Sequence, residues 1–380
     1  MGDSLSAGVE NFSLLDTQQP NGYASLIAKQ ANTPLPLPLV PYPGAPNVLQ
    51  LVSLNPLNIE PAPGTLPSPP RDNPYQEAFN ISVPGITVSD AITMRPTTNP
   101  NAPAVQQWAT IVLGFPSLYL GLAPTQLETA LALFPTTIIE ALGNNDALVP
   151  ALVGDLSELT PLTQFQASYK QVLDTLSITQ ATIITATIPD VTEVPYFTPV
   201  QTIAQQIHKS VEWVDSYLGT GPNDYIRLSA LPLVDEILGG APKPMDWPSA
   251  CPSPLAALSP NPIPCVLTAA DATTLRSAIA SYNQVIASQS ASHNALVVDL
   301  HALVAQISAS GYAVVTAKTG ATTLTTSFLG GLFSLDGVHP TNTGYAVIAN
   351  YFIQAMNSSL KTHLAPVSVN AIAEADPLVF

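Results

Sequence analysis

The sequence predicts an α/β protein whose parallel sheet carries helices on both faces. The clearest strand is residues 181–188, a run without charge and rich in β-branched residues that ends at Pro189, as is typical of strands buried on both faces. Residues 137–142 and 295–299 are shorter, mainly apolar runs. Apolar residues at helical spacing lie at 162–176, and strands that alternate with helices indicate a parallel sheet.

The first half of the chain has weaker signals. Residues 23–30 have the spacing of a helix that covers the sheet. Prolines then recur from 34 to 74, which argues against helix and interior strand and predicts an extended loop. Residues 79–83 form a short predicted strand. The uncharged stretch 96–126 predicts broken helices, which either belong to the core or cover a binding site or interface.

In the second half, one helix is predicted over 199–218 and another from Asp271, a good N-cap, to 288. The final helix is expected to start after Pro340, with Thr341 or Asn342 as its cap. These elements predict one domain over residues 1–364.

Two insertions and a tail complete this domain organisation. The insertions are expected at about 86–130 and at about 190–265, where proline-rich loops dominate. Residues 365–380 are expected to form an irregular C-terminal tail.

Composition excludes several function classes. The 26 acidic residues outnumber the 10 basic ones, and the net charge of −16 argues against binding to nucleic acid or to an anionic membrane surface. With 46% hydrophobic and only 9% charged residues, the chain can form a large core and is not disordered. Polar residues and proline interrupt the uncharged stretch, so no membrane span is expected.

Three residue types near the two ends of the chain can together form a nucleophilic triad. Ser4 lies in a Gly-Asp-Ser-Leu turn at the start, while Asp336 and His339 lie three residues apart near the end. A serine hydroxyl is a weak nucleophile unless a base takes its proton, and an acid beside the histidine orients that base. No P-loop, Gly-x-Gly-x-x-Gly motif or metal-ligand cluster occurs, so neither a cofactor nor a metal is expected.

With these two end motifs the chain resembles the GDSL, or SGNH, family of serine hydrolases. The middle blocks of that family also have counterparts. Residues 143–146, Gly-Asn-Asn-Asp, match its Gly-x-Asn-Asp block, and Gly85 stands where its second block has a glycine. The resemblance implies a flavodoxin-like α/β/α sandwich with a central parallel sheet.

The resemblance also implies a site and an activity. The oxyanion hole would consist of the backbone N–H groups of Ser4 and Gly85 and the side-chain amide of Asn145, with Asn144 as the neighbouring alternative. The triad would be Ser4, His339 and Asp336. The implied reaction is hydrolysis of carboxylic esters of lipids, glycans or short acyl groups through an acyl-serine intermediate.

One departure from the family concerns the first strand. In the family a hydrophobic strand precedes the serine turn, whereas here only Met1 precedes Gly2. A truncated start is the favoured explanation, and a degenerate, non-catalytic binding protein is the alternative if the strand is truly absent. An acyltransferase on the same fold is a further alternative.

Cys251 and Cys265 lie in the proline-rich part of the second insertion without the spacing of a metal or redox motif. A disulfide between them would suit an exported protein, periplasmic or extracellular, and would contribute roughly 3 kcal/mol in the loop-entropy model. Two free thiols are the alternative. No signal segment is visible in this chain.

Overall fold

The computed structural model describes residues 1–54, 57–251 and 261–380. The strands of these residues are β1 (Leu49–Leu54), β2 (Leu57–Pro61), β3 (Thr137–Glu140), β4 (Thr182–Ala186), β5 (Phe197–Pro199), β6 (Tyr225–Arg227), β7 (Val266–Leu267), β8 (Leu296–Val298), β9 (Tyr312–Thr316) and β10 (Gly320–Leu324).

The helices of the first half are α1 (Ser4–Ala7), α2 (Tyr23–Gln30), α3 (Val88–Thr93), α4 (Ala104–Leu113), α5 (Gln126–Ala132), α6 (Asn145–Val153) and α7 (Leu162–Ser177). Those of the second half are α8 (Val200–Gln206), α9 (Val211–Leu218), α10 (Leu231–Leu238), α11 (Ala269–Ser292), α12 (Leu300–Ser310), α13 (Asn342–Ser359) and α14 (Val369–Ala375).

The central sheet consists of β3, β4 and β8, which pair in parallel in that order. Successive side chains of a strand point to opposite faces of the sheet. The side chains of β4 alternate between the two faces in this way. Ile183 packs with α7 and α11 in one apolar cluster, whereas Ile184 packs with α2 and α13 in another. The fold is therefore mixed α/β, with a parallel sheet between two layers of helices.

Two short segments extend the sheet beyond β3. Gly2 forms a parallel bridge with Ala141, next to β3, and the Ala141 N–H donates to Met1 O at 3.3 Å. On the other side, the Val83 N–H donates to Gly2 O at 3.0 Å. Residues 1–2 thus lie beside β3 where a neighbouring strand would lie. Residues 79–83 approach the sheet at Val83 but do not form the regular strand that the sequence predicts.

Several predicted helices are confirmed, and their ends differ in detail. The helices expected at 23–30 and 162–176 are α2 and α7. Thr341 caps α13, because its hydroxyl accepts the Gly344 N–H. The N-cap of α11 is Thr268 rather than Asp271, which instead lies within the first turn.

Two predictions in the second half were wrong. The helix expected over 199–218 is two helices, α8 and α9. His208 between them has φ +55°, and Ser210 caps α9 by accepting the Trp213 N–H. The tail is not irregular, since α14 forms there with Ser368 as its cap and with Val369 and Ala373 buried one turn apart.

The predicted loop at 34–74 contains the β1–β2 hairpin, so that prediction was also wrong. Its strands pair antiparallel from Leu49 opposite Pro61 to Leu54 opposite Leu57. Prolines do not prevent this because residues 47–54 contain none and Pro61 lies at the end of β2. The β9–β10 hairpin was not predicted either.

The two predicted insertions pack differently. Apolar residues of 86–130, among them Ile86 and Leu127, belong to the main core beside α7. Residues from α8 to β7 form a separate small core that includes Val214, Ile226 and Cys265. Within the described parts of the chain, no helix combines the length and apolar character needed to cross a bilayer.

Candidate active site

Ser4 is the first residue of the one-turn helix α1, which follows directly on residues 1–2 beside β3. Asp3 caps this helix, since its Oδ1 accepts the Leu5 N–H at 3.1 Å, and Gly8 ends it in the left-handed conformation with φ +79°. A Cβ at Gly2 would come within 2.4 Å of Ser6 Oγ, so only glycine fits before this turn. These contacts leave the Ser4 side chain 8% exposed, in the wall of a cavity.

His339 is held by Asp336 within one tight turn. The ring Nδ1 lies 2.8 Å from Asp336 Oδ2, while Asp336 Oδ1 accepts the N–H groups of Val338 and His339 at 2.7 and 2.8 Å. Gly337 makes the turn possible with φ +70°, and a Cβ there would come within 2.9 Å of Tyr196 N. Because an ionised carboxylate can only accept, Nδ1 carries the ring proton and Nε2 is directed away from Asp336 as the basic atom.

Asp336 stays ionised despite its burial. Burial alone raises the pKa of a carboxyl, but the charge of the His339 ring and the hydrogen bonds from His339 and Val338 outweigh it, so the pKa of Asp336 falls below its usual range. The Phe12 N–H also donates to Oδ2 at 2.6 Å. Asp336 therefore holds the imidazole in one orientation.

Gly85 and Asn145 supply donor groups close to Ser4. Gly85 has φ +77°, and a Cβ there would come within 2.9 Å of Val105. Its N–H and that of Ser4 donate no hydrogen bond to another described residue. Asn145 is 4% exposed and donates from Nδ2 to Ile86 O at 3.0 Å, so its amide is fixed beside the turn that contains Gly85.

Ser4, Gly85, Asn145, Asp336 and His339 all line one large cavity of about 630 Å³. Its other walls are mainly apolar and come from separate parts of the chain. The apolar and aromatic side chains include Phe12, Leu49, Leu57, Ile59, Val105, Trp108, Leu148, Leu152, Tyr196, Leu228 and Val338. A cavity of this size and character is typical of sites for small organic ligands.

Ser4 and His339 also line a second, smaller cavity of about 90 Å³. Asp3 and Asn144 lie in its wall, with Val191, Val304 and other apolar residues. Within the described chain, no hydrogen bond joins the Ser4 hydroxyl to the His339 ring. Such contacts often form fully only when substrate binds, and both groups border the same two spaces.

The acidic residues next to the site residues position loops. Asp3 Oδ2 accepts the Asn144 amide at 2.8 Å, and Asp146 Oδ2 accepts the Val88 N–H at 3.1 Å. Burial raises the pKa of Asp3 to about 6 and that of Asp146 to about 7. Asp3 therefore connects the serine turn to the start of α6, and Asp146 connects α6 to α3.

Cys251 and Cys265 are free thiols in the structure. The predicted disulfide is thus not formed here, and the neighbouring Cys265 thiol lowers the pKa of Cys251. Among the described residues, no group of three or more acidic, histidine or cysteine side chains could hold a metal ion.

The sequence did not reveal most of the cavity walls. Residues of the β1–β2 hairpin were expected in a loop, and the run of valine and leucine at 48–54, which contains neither proline nor charge, was the signal that could have identified them. Trp108 belongs to the uncharged stretch 96–126, and its place in the wall matches the alternative of a cover over a binding site. Ser229 also lines the large cavity, and nothing in its sequence context indicates this.

No protein-family model matches this chain, and no curated protein matches it significantly.

Proposed function

We propose that this protein is a serine hydrolase that cleaves carboxylic esters through an acyl-serine intermediate, on a fold of the SGNH type. One observation carries the proposal. The nucleophile Ser4, the paired His339 and Asp336, and the donor groups of Gly85 and Asn145 border a single apolar cavity, although they are distributed over the whole length of the chain. Nucleophile, base, orienting acid and oxyanion donors are the parts that acyl transfer requires.

The position of these groups on the sheet supports the proposal. Ser4 follows Gly2, Gly85 follows Val83 and Asn145 follows β3, and the bridge at Gly2 is parallel to β3. In open parallel sheets, ligands bind beyond the carboxyl ends of the strands. The order of Val83, Gly2, β3, β4 and β8 across the sheet suits a doubly wound α/β fold.

In the first half of the reaction, Ser4 Oγ attacks the ester carbonyl carbon as its proton moves to His339 Nε2. The carbonyl oxygen becomes an oxyanion that accepts from the N–H groups of Ser4 and Gly85 and from the Asn145 amide. The bond from carbon to the alcohol oxygen then breaks, and the proton on Nε2 passes to that oxygen. The alcohol leaves, and the acyl group remains on Ser4.

In the second half, a water molecule takes the place of the alcohol. His339 Nε2 removes a proton from the water as its oxygen attacks the acyl carbon, and the same donors hold the second oxyanion. The bond to Ser4 Oγ breaks, and Oγ takes the proton back from His339. The products are a carboxylic acid and the alcohol, and the enzyme returns to its starting state.

Covalent labelling tests this proposal. A fluorophosphonate probe should modify Ser4, and Ser4→Ala should lose both labelling and turnover of p-nitrophenyl acetate. Ser229→Ala is the matched control, because Ser229 is another serine in the wall of the same cavity. It should keep the label. Labelling that survives in Ser4→Ala and disappears in Ser229→Ala would contradict the proposal.

The reaction product shows whether water or another hydroxyl compound accepts the acyl group from Ser4. Release of free acid in water supports a hydrolase. Preferential transfer of the acyl group to an added alcohol or sugar would make the protein an acyltransferase that uses the same residues.

A further inference from the structure

The geometry points to an asymmetric substrate: an ester whose long apolar acyl chain lies in the large cavity and whose small alcohol lies in the small one. This inference rests on the proposed function, since it assigns the two sides of the ester that Ser4 would cleave. It adds the substrate class, an alkyl ester of a medium- or long-chain carboxylic acid with an alcohol of a few heavy atoms.

The two cavities share lining residues at the reacting groups. Ser4 and His339 line both, together with Leu148 and Val338. An ester carbon bound to Ser4 Oγ therefore has space on two sides, of about 630 and about 90 Å³. A water occupies about 30 Å³ of liquid, so the small cavity holds only a few heavy atoms, whereas the large one falls within the range of about 300–1,000 Å³ of drug-sized ligand sites.

The volume of the two cavities decides which one takes the acyl chain. The carbonyl oxygen points towards Gly85 and Asn145, which line the large cavity and not the small one, in both halves of the reaction. The acyl chain stays on the same carbon throughout, and a long alkyl chain needs the larger of the two apolar spaces. The alcohol, present only in the first half, takes the small cavity, which His339 also lines.

The walls fit these two occupants. In the large cavity, Ile59 of the β1–β2 hairpin and Trp108 of α4 present apolar surface to an alkyl chain, and no charged side chain other than the Asp336–His339 pair lines it among the described residues. Each methylene buried there should raise kcat/KM about fourfold. The small cavity is bounded by Val304 of α12 and by Val191, which limits the length of the alcohol.

A pair of isomeric esters tests the assignment directly. Ethyl octanoate and octyl acetate have the same atoms and differ only in the side of the carbonyl that carries the long chain. We expect kcat/KM of the wild-type protein, measured by titration of released acid, to be at least tenfold higher for ethyl octanoate. Equal values, or a preference for octyl acetate, would overturn the inference while leaving ester hydrolysis in place.

Two matched pairs of variants assign the cavities. Ile59→Trp narrows the large cavity and should lower the ratio of ethyl octanoate to ethyl acetate turnover at least tenfold. Val52→Trp, on the same hairpin at a position that is 58% exposed and outside the cavity wall, should keep that ratio within twofold. Val304→Phe should lower the ratio of ethyl to methyl octanoate at least fivefold, and Ala305→Phe, exposed on the same helix, should not.

Binding distinguishes failure of this inference from failure of the proposed function. If the wild-type protein hydrolyses none of these esters, the proposed function is wrong. Calorimetry of octanoate with the Ser4→Ala protein then decides the acyl site. Binding that Ile59→Trp weakens at least tenfold, and Val52→Trp does not, supports the large cavity as an acyl site. No binding, or binding that Ile59→Trp leaves unchanged, overturns that assignment.

Discussion

Asn144 and Asn145 are neighbours in sequence, yet their side chains border different cavities. Asn145 lines the large cavity, and Asn144 lines the small one. The reason is that α6 begins here, and successive residues of a helix point about 100° apart. Asn144 is tied to Asp3 at 2.8 Å, whereas the Asn145 amide lies on the side of Gly85. The two asparagine side chains therefore have different surroundings, although the residues are adjacent in the chain.

The two asparagines give a prediction at the scale of residues. Asn145→Ala should lower kcat by about 10²–10³, the usual effect of losing one oxyanion donor. Asn144→Ala should have a much smaller effect on kcat, since it removes the hydrogen bond to Asp3 and leaves the oxyanion donors in place. Steady-state kinetics on ethyl octanoate, with thermal melting to verify folding, measures both. A larger loss of kcat in Asn144→Ala than in Asn145→Ala would show that Asn144, and not Asn145, is the oxyanion donor.

At the scale of elements, Asp146 links the starts of two helices. It lies in the first turn of α6, and its carboxylate accepts the N–H of Val88, the first residue of α3. A carboxylate at a helix N-terminus is favourable because the helix dipole is positive there. Asp146 is only 1% exposed, however, and burial raises its pKa from 3.8 to about 7. It is therefore largely protonated in the folded protein in mild acid.

This raised pKa predicts a dependence of stability on pH. Between about pH 4 and 7 the folded state holds a proton that an ordinary carboxyl in the unfolded state has lost. The stabilisation is therefore complete below the unfolded pKa and is lost as the pH rises through about 7. At about 1.4 kcal/mol per pKa unit, Asp146 contributes on the order of a few kcal/mol.

Thermal melting from pH 5 to 8 measures this effect. The Tm of the wild-type protein should fall over this range, and the fall should be smaller in Asp146→Asn, which keeps the shape but not the titration. Some fall should remain in the variant, because burial also raises the pKa of Asp3 to about 6 and that of Glu140 to about 7. Parallel curves for the two proteins would show that Asp146 titrates normally.

At the scale of the whole molecule, a separate small core lies outside the central sheet. It is built by α8 to α10 with β6 and Val266 of β7, and Cys265 is part of it. The segments of the two cysteines lie side by side here, since the Cys251 N–H donates to Ile263 O at 2.8 Å and the Cys265 N–H to Pro248 O at 2.7 Å. The two cysteines therefore lie on neighbouring segments of this small core.

The cysteines therefore give a prediction that depends on compartment. Protein made in an oxidising compartment should contain a Cys251–Cys265 disulfide, which peptide mass spectrometry without reduction detects. Its removal by Cys251→Ser and Cys265→Ser together should lower the free energy of unfolding of that preparation by roughly 3 kcal/mol. Two thiols that react with iodoacetamide in such a preparation would refute the bridge.

The sequence by itself determined the features that depend on short stretches of chain. Local periodicity predicted the strands β3, β4 and β8 and the helices α7 and α11, and these strands pair in parallel as the alternation predicts. Asp336 and His339 are three residues apart, so one turn brings them together at 2.8 Å. The Gly-Asp-Ser-Leu turn likewise needs only its own residues to cap and present Ser4.

Only the tertiary structure decided what surrounds these residues. The large cavity joins the β1–β2 hairpin, Trp108, Leu228 and Val338, which are separated by more than 45 residues at each step along the chain, apart from those within the hairpin. Their meeting depends on how helices and loops pack over the sheet, and local periodicity carries no information about such distant contacts. The division into a large and a small space at Ser4 is therefore a property of packing, since side chains from both apolar clusters line the small space.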